Sequence, residues 1–136
     1  MFRCKGCNIF AVIASLLIGI GIALLVYYGL IPLGLIEDVA FLPIITATIT
    51  LLALVVVPLF AHRISPCALK CVCIYGYCLL GAAAGSLITT IIALIIVPNL
   101  IALTVLIGLI VFFFSLLFLT IVDFIICLLR ELCCRC

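Results

Sequence analysis

Long apolar runs alternate along this chain with short polar breaks, and proline marks most of the breaks. The first run extends from about Ile9 to Ile31, with Asn8 placed to cap a helix and Pro32 to stop it. The second covers about Ala40 to Ala61. Pro58, near its end, lacks an N–H and should kink or loosen the last turn. The third starts with Ser65 as N-cap and Pro66 at the first helical position, and it continues to Val97, just before Pro98. The fourth runs from about Asn99 to Leu132. Each run exceeds the roughly 20 apolar residues needed to cross a hydrocarbon core about 30 Å thick. The pattern predicts an all-α integral membrane four-helix bundle, a single transmembrane domain over residues 1–136, with spans at about 9–31, 40–61, 66–97 and 99–132. The third and fourth helices exceed what a bilayer requires, since about 31 residues at 1.5 Å each reach about 46 Å. Their surplus should project into the headgroups.

Charge orients the bundle. The loop between the first two runs carries Glu37 and Asp38 without Lys or Arg. All six basic residues, Arg3, Lys5, Arg63, Lys70, Arg130 and Arg135, fall at the other end of an up-down-up-down arrangement. The positive-inside rule then places both termini in the cytoplasm. Arg3 and Lys5 followed by an apolar run have the look of a signal peptide, but the run is too long and lacks a small-residue cleavage site, so we expect it to be retained.

Composition agrees with a bilayer partner. The chain is 72% hydrophobic and 7% charged, too few charges to cover a water-soluble globule. No basic stretch interleaved with aromatics points to nucleic acid. Neither a nucleotide loop nor a Ser-His-Asp set is visible, so neither an enzyme nor a small-molecule substrate is indicated. No ionisable residue lies near the centre of a span, which disfavours pumps and proton-coupled transport. Asp123, about two turns from the cytoplasmic end, is expected to pair with Lys70 or Arg130.

Small residues recur at helical spacing. Ala11, Ser15, Gly19 and Ala23 repeat every four residues in the first helix, and Gly81 and Gly85 form G-x-x-x-G in the third. Such faces let helix backbones approach closely where lipid removes the hydrophobic drive. They suit packing inside the bundle or contacts between subunits of a homo-oligomer. Phe112, Phe113 and Phe114 point in three directions and read as packing.

The ten cysteines gather at the basic end. At about 100° per residue, Cys67, Cys71 and Cys78 share one face of the third helix. Asp123, Cys127, Arg130 and Cys134 share one face of the fourth. A tight hairpin at Val97–Asn99 makes these helices neighbours, so the two stripes can face each other. Cys4 and Cys7 form C-x-x-C, as do Cys133 and Cys136, and together they could supply a tetrahedral Cys₄ site for zinc. Acylation and disulfides compete with metal at these positions. Disulfides require an oxidising milieu, which a cytoplasmic face offers only after the membrane leaves the cell. Buried free thiols acting as small hydrophobes account for Cys73 and Cys78.

The resulting expectation is a structural membrane protein that associates laterally and carries a cysteine-rich cytoplasmic rim, metal-bound, acylated or disulfide-linked. A holin-like pore is an alternative, although Thr46, Thr50, Thr89 and Thr90 make a thin polar stripe. A C-x-x-C pair beside four membrane helices also resembles the quinone-linked disulfide-forming oxidoreductases, which implies thiol oxidation. That family works on the exoplasmic side, whereas both outer loops here lack cysteine.

Overall fold

A computed structural model describes residues 8–32, 41–59, 66–95 and 99–133, with side chains described for all of these except 57–59, 66–69, 94, 100 and 131–133. The fold is all-α: α1 (Ile9–Tyr27), α2 (Phe41–Leu59), α3 (Pro66–Ile95) and α4 (Leu100–Cys133). Three stretches, Ile9–Tyr27, Lys70–Ala93 and Ile101–Arg130, are long and apolar enough to cross a membrane. Phe41–Val56 in α2 is apolar but shorter. Large apolar side chains such as Leu17, Ile49, Val105 and Phe118 stand exposed on the helix surfaces, as a lipid-facing protein requires.

The helix ends follow from local chemistry. Asn8 has extended backbone angles, and its side-chain oxygen accepts the Phe10 N–H at 3.3 Å, satisfying one of the orphan donors of α1. At the other end Gly29 adopts φ 69°, its N–H reaches the Val26 carbonyl, and the Leu30 N–H reaches Leu25. This is a Schellman closure. It ends α1 at Tyr27, earlier than Pro32 suggests, because a left-handed glycine can turn the chain before the proline is met. Pro66 does open α3, where a missing N–H costs nothing. Pro43 occupies the first turn of α2 for the same reason. Pro58 does not end α2, which stays helical through Leu59.

The helices pack in the order α1, α4, α3, α2, and α2 touches α4 only slightly. No other pair of helices shares more than a marginal contact among the described residues, so α1 and α2 lie at the two ends of an open row. The core is built largely of small side chains, Ala11, Ala47, Cys78, Ala82 and Ala83, with Leu79, Leu116 and Leu117 filling the space between. Small residues bring the backbones close, which strengthens dispersion contacts in a setting without a hydrophobic drive.

Candidate functional site at the cystine end

α4 presents two differently built faces. Gly108, Phe112 and Asp123 lie within about 60° of one another and face α1. Phe113, Thr120 and Cys127, spaced seven residues apart, face α3. The partners on α3 are Gly85, Cys78 and Cys71, again seven apart and in descending order. The contacts between α3 and α4 therefore run in opposite senses, with the heptad rhythm of a knobs-into-holes seam.

The steps of this seam differ in chemistry. In the apolar part, the Phe113 ring covers Gly85 so closely that an added Cβ would sit 2.5 Å from a ring carbon. Seven residues on, the Cys78 sulfur lies 3.6 Å from the Thr120 hydroxyl, which itself donates to the Leu116 carbonyl at 2.6 Å. At the polar end Cys71 and Cys127 form a disulfide, with Cα atoms 6.1 Å apart. Cys71 is fully buried, whereas Cys127 is partly exposed. The two thiol-bearing stripes do face each other and are covalently joined.

Cys73 and Cys78 are disulfide-bonded as well, which overturns their reading as free buried thiols. Helical spacing places sulfurs on faces but says nothing of their oxidation. Cys73 lines a groove between α2 and α3 beside Leu54, Gly76 and Tyr77.

Toward α1 the contact is steric and polar. Ala11, Ser15 and Gly19 are buried, and a Cβ on Gly19 would lie 2.9 Å from the Gly108 carbonyl oxygen. A Cβ on Gly108 would in turn meet Ala23 at 3.0 Å. Ser15 donates to the Ala11 carbonyl at 2.7 Å, so its hydroxyl enters this apolar contact already satisfied. At the polar end the Asn8 amide donates to Asp123 at 3.3 Å. Asp123 thus pairs with neither Lys70 nor Arg130, because the start of α1 packs at its level on α4 and reaches it first. One asparagine caps α1 and fastens that cap to α4.

Of the small residues singled out for oligomer contacts, Ala11, Ser15, Gly19 and Ala23 meet α4, and Gly85 meets Phe113, all within one chain. Gly81 is exposed, with open space where a Cβ would go. Of the zinc candidates, Cys4, Cys7 and Cys136 lie outside the described residues, and Cys133 ends α4 with its side chain outside them. Among the described residues no group of three or more His, Cys, Asp or Glu gathers as a metal site. The helix-capping role of Gly29 escaped the sequence reading, although a glycine after the last aromatic of an apolar run was the available signal.

In comparisons with known proteins, no family model, no curated protein and no solved structure matches the chain.

Proposed function

We propose that this is a structural membrane protein that associates laterally with its own copies and whose cysteine-rich rim is linked by disulfides. The observation that carries the reading is the oxidised state of Cys71, Cys73, Cys78 and Cys127, the four cysteines whose side chains are described. The Cys71–Cys127 bond joins α3 to α4 within one chain, so the described part of the rim is already linked covalently. The open helix row supports association, since α1 and α2 each leave apolar surface free for lipid or a neighbouring copy. The hydroxyls favour this reading over a holin-like pore. Thr46, Thr50, Thr89 and Thr90 each donate to a carbonyl of their own helix at 2.7 Å, which leaves little for a water-facing stripe.

In the proposed arrangement the helices run up, down, up and down through the bilayer, with Glu37 and Asp38 outside and both termini cytoplasmic. The opposed contacts along α4 and the one-sided distribution of Lys and Arg support it. Disulfides on a cytoplasmic face conflict with the thiol buffers of the cytosol. Timing resolves the conflict: insertion obeys the charge rule, and the bonds close once the membrane loses its supply of reductant. Alkylation of growing cells quenched in acid and denatured should therefore find Cys71 and Cys127 as free thiols, and the same treatment after the cells are spent should find them bonded. Bonds already present in growing cells would place the rim on the exoplasmic side. Self-association is read by photobleaching of labelled protein in lipid vesicles. Several bleaching steps per spot are expected, fewer with Gly81→Leu; single steps for the native protein would refute the assembly.

A further inference from the structure

We propose that the Cys71–Cys127 bond is an exchangeable disulfide with a fixed polarity, and that Cys127 is the sulfur at which a small external thiol attaches. The inference rests on the unequal exposure of the two cysteines and on their neighbours, so it stands whether or not the protein associates laterally. Cys71 is 0% exposed between α3 and α4, which denies any attacking thiolate an approach to its sulfur. Cys127 is partly exposed, two residues before the exposed Leu129 and one turn before the exposed Arg130. It lies in the last turn of the apolar stretch Ile101–Arg130, one turn past Asp123 and its Asn8 partner. Lys70, exposed and next to Cys71 in sequence, adds a second cation at the same end of the hairpin. Cations near a disulfide draw in anionic thiolates such as that of glutathione.

The exchange is balanced as follows. A thiolate attacks the Cys127 sulfur in line with the existing bond. The new sulfur–sulfur bond forms as the Cys71–Cys127 bond breaks, and the electron pair departs on the Cys71 sulfur, which takes up a proton. The products are a mixed disulfide on Cys127 and a buried Cys71 thiol. A second small thiolate then attacks the sulfur of the attached thiol, releasing the oxidised small disulfide and leaving Cys127 reduced. Two small thiols lose two electrons, and the protein disulfide gains them. Burial of Cys71 leaves the Cys127 sulfur as the one point of approach to the bond. The bond is therefore open to attack from one side.

The test uses the full chain in lipid nanodiscs with glutathione as the probe. In Cys71→Ser, oxidised glutathione should attach to the freed Cys127 at least about tenfold faster than to the freed Cys71 in Cys127→Ser, since access of the attacking species limits the rate. Circular dichroism checks that both variants keep their helices. The native protein supplies an independent measurement free of substitution: a brief exposure to reduced glutathione followed by acid quench and peptide mass spectrometry should find the mixed disulfide on Cys127. Equal or reversed labelling of the two freed thiols, a mixed disulfide on Cys71, or a native protein lacking the bond would overturn the proposal.

Discussion

The two faces of α4 hold their neighbours by opposite means. Toward α1, small residues spaced by four bring backbone against backbone at Gly19 and Gly108, and one hydrogen bond from Asn8 to Asp123 closes the polar end. Toward α3, residues spaced by seven set a ring on a glycine, the bonded sulfur of Cys78 beside a hydroxyl and finally the Cys71–Cys127 disulfide. The first interface tolerates no added atom at Gly19 and, among the described residues, contains no covalent bond. The second accommodates bulk through side chains that can turn, and it is locked at one end. The comparison suggests that α3 and α4 form a permanent hairpin against which α1 is docked. A small-residue interface is a matter of shape, whereas the cystine makes its hairpin independent of shape.

The largest effect should come from the lock. Cys127→Ser releases the covalent link between Cys71 and Cys127 and should destabilise the hairpin by about 2–4 kcal/mol on the chain-entropy account. Unfolding in mixed detergent micelles, read by circular dichroism, checks this, and reductant should lower the native midpoint at least as far, since it also opens the bonds at Cys73 and Cys78. Next comes the tight backbone contact. Gly19→Leu must push against the Gly108 carbonyl and the Phe112 Cβ, which cannot rotate away, at a cost of about 1–3 kcal/mol. Cross-linking between engineered cysteines on α1 and α4 should fall, while the Cys71–Cys127 bond persists. A loss of that bond in Gly19→Leu would show that the two interfaces are not separate.

Gly85→Ala sharpens the contrast. The atoms in its way belong to the Phe113 ring, which can turn until it meets Phe112, whose ring centroid lies 5.1 Å away. The expected cost is about 1 kcal/mol, reduced further in a Phe113→Leu background. Equal costs at Gly19 and Gly85 would erase the distinction between backbone and side-chain obstacles. The smallest effect belongs to Gly21, where a Cβ meets open space. Gly21→Ala should be neutral or stabilising by about 0.5 kcal/mol, as helical glycines generally are when replaced without strain.

Much of this architecture was legible in the apolar runs and their prolines. Pro66 opens α3 where the sequence placed it, and α2 and α4 begin within one residue of expectation. The end of α1 was misjudged because Pro32 is the louder signal, although Gly29 already turns the chain. The angular positions of Cys71 and Cys127 brought them to facing sides of adjacent helices, since 100° steps are a property of any helix. Their oxidation was not legible, because it depends on distance and on the compartment, and the charges argued for a reducing one. The partner of Asp123 was missed because Coulomb attraction suggested a cation on the same rim. The register of α1 against α4, which no local pattern encodes, delivered Asn8 instead.

The central claim is a self-associating membrane protein whose rim is linked by sulfur–sulfur bonds. Native mass spectrometry of the detergent-extracted protein tests it most directly, because subunit number, bound metal, thioacyl groups and the loss of two hydrogens per disulfide appear in one spectrum. The account predicts a multiple of the chain mass, lowered by two hydrogens for each bonded pair and with no added zinc or acyl mass. A monomer carrying ten free thiols, or an assembly whose cysteines hold metal instead, would contradict it.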